Sequence, residues 1–243
     1  MHLQLATWPD IETYLETCDA IVVPIGSTEQ HGPTGLVGTD AICPERIAAG
    51  LADEGALVAP TISIGMAQHH LGFPGSIALR PSTLMAVIED VVQSLEATGF
   101  RRVMFLNGHG GNIATVQAAF SEIWARSSLS AGSSPLSLKL VNWFMLPSVQ
   151  RLSRTLYGDA EGSHATPSEI ALTWFAYPEA RREATLDPQV APDGPIRDAA
   201  DFRRRFRDGR MGSDPSLATP EHGERLYRAA LDDLRSIWAD FRA

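Results

Sequence analysis

Short apolar runs alternating with longer segments of helical period constrain the fold of this chain more than any other feature. Ala20 to Ile25 (AIVVPI), Ala56 to Ile64 (ALVAPTISI), Arg102 to Leu106 (RVMFL) and Leu136 to Trp143 (LSLKLVNW) read as four strands. A helix is predicted between the first two, from about Asp40 to Glu54. Another starts at Pro81, a residue suited to a first helical position, and carries an apolar stripe through Leu84, Val87, Ile88, Val91, Val92 and Leu95. A third covers Asn112 to Arg126. Such alternation builds right-handed βαβ units, hence an α/β fold with a parallel sheet and helices on both faces. Leu146 to Pro167 reads as irregular, SEIALTWFAY (Ser168 to Tyr177) as a helix, and Glu221 to Phe241 as an amphipathic helix that closes the domain. No repeat or linker divides the chain, so residues 1–243 are expected to form a single domain, a length that supports one full core.

The charge balance narrows the partners. Asp and Glu number 29 against 20 Lys and Arg, a formal charge of -9. Phosphate backbones and anionic bilayers are held by clustered cations, so neither nucleic acid nor membrane is expected as a partner, while a small molecule is compatible. Arg203, Arg204, Arg205, Arg207 and Arg210 form a local basic run inside a Pro-, Gly- and Asp-rich stretch (Ala191 to Pro220). With acids interspersed, the run reads as a solvated helix face or a subunit contact. Only Cys18 and Cys43 are present, too few and too far apart for a disulfide framework. The amino-terminal segment lacks a basic region followed by an apolar one, and no apolar run approaches the roughly 20 residues of a membrane span. A reduced, cytoplasmic setting is expected.

In open parallel sheets, sites form in the loops beyond the carboxyl ends of the strands. The unusual polar motifs of the first half follow such ends. In PIGSTEQHGPTGLVGTD, Glu29 and His31 stand at i and i+2, so an extended segment aims both to one side, with Asp40 nine positions later. Carboxylate and imidazole are ordinary ligands for zinc and other divalent metals. Asp40 reads equally as a helix cap or as a carboxylate bridging two ions. In FLNGHGGN, glycines flank His109 and permit close backbone approach; neither a Walker lysine nor GxGxxG is present, so a metal or catalytic role outweighs phosphate cradling. In GDAEGSHATPSEIAL, His164 and Glu169 are five apart, and Glu169 in a first helical turn reads equally as a charge favouring the helix dipole. His69 and His70, before Phe73-Pro74-Gly75, either line a pocket or simply pack.

Together these segments resemble the creatininase family of metal-dependent amidohydrolases. The residues that carry the resemblance are Glu29-Gln30-His31-Gly32-Pro33, Gly38-Thr39-Asp40, His70 with Phe73-Pro74-Gly75, Asn107-Gly108-His109-Gly110-Gly111-Asn112, and His164-Ala165 with Glu169; DPSLATPEHG (Asp214 to Gly223) resembles the family's C-terminal stretch. The resemblance implies a three-layer α/β/α sandwich, a binuclear site and a homohexamer. It implies one divalent ion on Glu29, Asp40 and His109, and a second on His31, the bridging Asp40 and one further carboxylate. In creatininases proper that carboxylate lies two residues after the loop histidine. Here the position is Gly111, which offers no ligand, and Glu169 is the substitute. This departure tells against creatinine itself as substrate.

The chemistry so implied is hydrolysis of a small cyclic amide or other non-peptide C–N amide bond. Two divalent ions, zinc first with manganese or iron as alternatives, would acidify a bridging water and polarise the carbonyl. His164 is the candidate proton donor to the leaving nitrogen. A formamide of the formylaminopyrimidine type is the alternative substrate, and a non-catalytic metal-binding assembly protein the alternative class.

Overall fold

The computed structural model describes all 243 residues. Three parallel strands, β1 (Ala20–Ile25), β2 (Arg102–Asn107) and β3 (Ser137–Asn142), lie in that order across the sheet. Ile25 pairs with Asn107 and Asn107 with Asn142, so all three strands end at one level. The helices are α1 (Trp8–Leu15), α2 (Thr39–Asp53), α3 (Pro81–Ala97), α4 (Asn112–Leu129), α5 (Pro147–Tyr157), α6 (Pro167–Ala176), α7 (Ala199–Arg205) and α8 (Pro220–Arg242).

Alternation along each strand sorts the core into two slabs, because successive side chains leave opposite faces. Val22, Met104, Leu106 and Val141 pack with Ile47 and Leu51 of α2, Ile170 of α6 and Leu231 of α8. Ile21, Val23, Val103 and Phe105 face Leu84 and Ile88 of α3 and Val116 and Phe120 of α4. The result is the expected three-layer α/β/α arrangement. Both faces of β1 are dry, which is why AIVVPI reads as a continuous apolar run.

Three local expectations are corrected. Ala56 to Ile64 is not a regular strand: Val58 and Ile62 make isolated parallel bridges to Val22 and Ile25. The segment follows the edge of β1, with Ala59 N–H on the Val22 carbonyl (2.8 Å) and Ile62 N–H on the Pro24 carbonyl (2.9 Å). Pro24 lacks the N–H that would continue the ladder between these points, and Pro60 lacks the one that would continue pairing on the segment's other side, where Val58 bonds Met1 and Leu3. Leu146 to Pro167 is not irregular, since it contains α5. That helix starts with Pro147 at its first position and packs a narrow stripe of Val149, Leu152 and Leu156 into the α2/α6/α8 slab. Finally, Arg210 is not solvated. It is fully buried, bonding Asp208 through Nε (2.8 Å) and the carbonyls of Pro188 (2.7 Å), Gln189 (2.8 Å) and Ser213 (3.1 Å) through its two Nη groups. Arg204 and Arg205 do lie on a solvated face, paired with Asp201 of the same helix.

Candidate metal centre

The carboxyl ends of β1 and β2 open into the two loops that carry Glu29, His31 and His109, and the amino end of α2 inserts Asp40 between them. This approach is close. A Cβ on Gly108 would stand 2.0 Å from the Asp40 carbonyl oxygen and 2.7 Å from Pro44 Cδ, so only glycine lets the β2 loop touch α2. Two asparagines hold the loop's shape. Asn107 donates to the His109 carbonyl (2.7 Å) and accepts from the His109 N–H (3.1 Å). Asn112 donates to the Gly26 carbonyl (2.9 Å) and accepts from the Met66 N–H (3.0 Å), tying three loops together.

The two imidazoles are oriented by backbone carbonyls, which only accept. His31 Nδ1–H donates to the Glu29 carbonyl (3.0 Å), leaving Nε2 to face Asp40 Oδ1 at 3.1 Å. His109 Nε2–H donates to the Met66 carbonyl (2.9 Å), leaving Nδ1 2.9 Å from Asp40 Oδ2. Each histidine therefore turns its other nitrogen toward a different oxygen of one carboxylate, the outer-shell arrangement that orients metal-ligating histidines; the proton held there in the metal-free protein is the one an ion would displace. Asp40 sits in the first turn of α2 after Gly38 and makes no cap bond. Asp40 Oδ2 and Glu29 Oε1 are buried with only imidazole nitrogens beside them, His109 Nδ1 at 2.9 Å and His70 Nε2 at 3.1 Å, and buried carboxylates so placed suit a shared cation.

Glu169 resolves its two readings by using both oxygens. Oε1 accepts from the Thr166 N–H (2.6 Å) in a reciprocal capping box that starts α6, while Oε2 points to His31 Nε2 at 3.9 Å. At Gly111 a Cβ would lie 2.4 Å from His109 Nε2, so no side chain can grow there beside this histidine. Ligand atoms of Glu29, Asp40 and His109, and separately of His31, Asp40 and Glu169, lie within 4.8 Å of one another, and the donor set suits a pair of divalent ions sharing Asp40. A third such group contains Glu29, His31 and His164. All six residues singled out from the sequence thus meet in one place.

Titration behaviour reflects the negative charge gathered there. Burial disfavours a charged His31, yet Asp40, Glu169 and Glu29 outweigh it and raise the imidazole to about 10. His109 rises to about 9 against burial, through Glu29 and Asp40. Asp40 is lowered despite burial by the same two histidines. Glu29 is raised, chiefly by burial, and Glu169 is raised by burial to about 7. Outside this ring the histidines stay neutral. Burial, with His31 and His70 beside it, holds His164 well below its ordinary range, and burial takes His70 to about 3 and His69 to about 4.

Several participants were not legible as such. His70 Nε2 lies 3.1 Å from Glu29 Oε1, and Ser27 Oγ–H donates to Glu29 Oε2 (2.8 Å). Gln30 donates to His70 Nδ1 and to the Gly209 carbonyl, both at 2.9 Å. His164 Nε2–H donates to the Gln30 carbonyl (2.8 Å), which leaves its Nδ1 as the nitrogen nearer Glu29 (3.8 Å). The sequence marks Gln30 and His70 only as parts of the segments that carry the resemblance, with His70 open between lining a pocket and packing, and it offers no cue for Ser27. Glu29, Asp40, His70, His109, His164 and Glu169 line a cavity of about 820 Å³, of whose 27 lining residues only 5 are hydrophobic.

A family model described as Creatininase: Creatinine amidohydrolase matches residues 4–237. The chain belongs to the creatininase family. It is a metal-dependent amidohydrolase, a hydrolase of carbon–nitrogen bonds. Among creatininase-family relatives, the 3-dehydro-scyllo-inosose hydrolase of Thermotoga maritima is 36% identical over 99% of this chain and 83% of its own length. The mycofactocin precursor peptide peptidase of Mycolicibacterium smegmatis is 28% identical over 85% of this chain and 79% of its own. Among solved structures, a manganese creatininase superposes with a TM-score of 0.81 at 22% identity, covering 100% of this chain and 99% of that one, which establishes the shared fold. No helix is long and apolar enough to cross a membrane.

Proposed function

We propose that this creatininase-family chain, as one domain over residues 1–243, hydrolyses the C–N bond of a small cyclic amide or a related non-peptide amide. The observation that carries the reading is the pair of carbonyl-locked imidazoles turned toward opposite oxygens of Asp40. Glu29, Asp40 and His109 would hold one divalent ion, and His31, Asp40 and Glu169 the other. Metal held there supplies a Lewis acid that acidifies water and polarises a carbonyl. Zinc is the first choice for this donor set, with manganese or iron as alternatives.

The chain's own groups supply the rest. His164, with Nε2–H committed to the Gln30 carbonyl, keeps Nδ1 free to take a proton from the attacking water and pass it to the leaving nitrogen. Burial keeps the ring neutral at rest, so the proton it donates is one it first takes up. Ser27 and His70 fix the Glu29 carboxylate, and Gln30 fixes His70, so the acceptor atoms are held before substrate arrives. The wide, polar cavity suits a hydrophilic ring, as do the inosose and creatinine in the names of relatives. A cytoplasmic homohexamer belongs to the same proposal.

Elemental analysis of the purified protein together with amide-hydrolysis assays tests this. Two metals per chain, lost with activity on chelation, support it. A folded protein that stays metal-free and inactive after divalent ions are restored returns the chain to the non-catalytic class.

A further inference from the structure

The carboxylates and histidines of the centre are buried, whereas the rim of the same cavity is built by two segments that bring in arginine. One is α5, whose Gln150, Ser153 and Arg154 share a face and line the cavity. The other is the strap 187–198, which contributes Ile196 and Arg197. The strap is held firmly. Buried Arg210 bonds the carbonyls of Pro188 and Gln189, Ala191 N–H donates to Ser213 (3.0 Å), and Gly212 N–H donates to Pro192 (3.0 Å). Directly after Arg197, Asp198 caps α7 through the Asp201 N–H (2.9 Å). Arg197 is thus placed at the rim by anchors on both sides.

Neither Arg154 nor Arg197 forms an ion pair or a side-chain hydrogen bond, so both guanidinium groups are open to a ligand in the cavity they line. Asp159, exposed in the turn after α5, lines the same cavity and pairs with neither. The cavity as a whole stays acidic, with Glu29, Asp40, Asp159, Glu161 and Glu169 on its lining, and Arg154 and Arg197 are its two arginines, both exposed. Guanidinium forks match carboxylate and phosphate oxygens in geometry as well as charge.

We propose that Arg154 and Arg197 form an oxyanion-recognition site at the rim, and that the natural substrate carries a carboxylate or phosphate distant from its scissile bond. This rests on the hydrolase reading for the word substrate, and it extends that reading to a substrate class that creatinine and an inosose, both lacking such a group, do not represent. The anion would anchor one end of the molecule in solvent-facing arginines while the carbonyl reaches the buried floor.

The test uses the metal-loaded protein and titration calorimetry with three probes: glutarate, inorganic phosphate and the neutral diamide of glutarate. At least one anion is expected to bind tenfold or more tightly than the diamide, and which one binds identifies carboxylate or phosphate. Arg154→Gln and Arg197→Gln should each weaken that anion about tenfold, with Arg154→Lys and Arg197→Lys retaining most of the binding. Both residues are exposed, and circular dichroism should show the variants folded. Binding of neither anion, or anion binding unchanged in the double glutamine variant, overturns the proposal; the second result would place the anion on the metals. Arginine-dependent anion binding in a protein that proved metal-free and inactive would remove the hydrolase reading and leave this site standing.

Discussion

Replacing Glu169 by Gln separates its two oxygens. Glutamine keeps a carbonyl oxygen for the Thr166 N–H, so the capping box and the start of α6 survive. What is lost is the negative charge beside His31. In the chelated protein that charge is a burden, because burial moves the carboxyl from its ordinary 4.5 to about 7. The difference corresponds to about 3 kcal/mol. For a carboxyl raised on folding, the cost is absent below its unfolded value and complete above the folded one. Wild type therefore loses this stability between about pH 4.5 and 7, and the variant does not. For a chain of this length, about 3 kcal/mol amounts to roughly 6–12 °C in Tm. Thermal melts of chelated protein should coincide near pH 4.5 and separate by about that amount at pH 8, with Glu169→Gln the more stable. Added zinc or manganese should then lift wild type further than the variant; a hundredfold weaker site corresponds to about 2.7 kcal/mol less linkage stabilisation at saturating metal. A chelated variant that melts below wild type at pH 8, or equal metal-induced rises in both, would refute the reasoning.

His164→Ala should retain two metals per chain by elemental analysis while turnover falls about 100-fold or more; loss of metal instead would make His164 a ligand. Gly108→Ala forces a methyl into the Asp40 carbonyl and Pro44, so a loss of about 2–3 kcal/mol in denaturant unfolding and a drop in metal content are expected together. Arg210→Ala leaves three carbonyls and Asp208 without their donor, which should cost about 3 kcal/mol in the same measurement and expose the strap 187–198 to limited proteolysis.

The elements that the sequence revealed are those whose cause is local. The strand AIVVPI is apolar throughout because both of its faces are covered, and α3 carries its own period and its own proline start. The motifs around His31 and His109 stand out because glycine and asparagine are spent there on backbone approach. The misses depend on distant partners. Pro60 breaks a segment whose apolar content is otherwise strand-like, and α5 hides a three-residue stripe among polar neighbours. The burial of Arg210 depends on the Pro188 and Gln189 carbonyls about 20 positions earlier, and nothing in a run of arginines marks one as interior. Glu169 looked divided between cap and ligand because a single letter does not show that one oxygen can cap α6 while the other faces His31. The same limit applies to Gln30 and Ser27, whose work is to hold other side chains still.

The six residues of the centre reach it from β1's loop, α2, β2's loop and the turn into α6, spanning 140 positions from Glu29 to Glu169. No subset of contiguous secondary structure contains a complete binding set, so the site does not exist in any partly folded chain. Metal held there would bind once these long-range closures are made and would act as a seal across them. Loss of that metal would undo one tie shared by all four segments, so its contribution to stability would come and go for the whole closure at once.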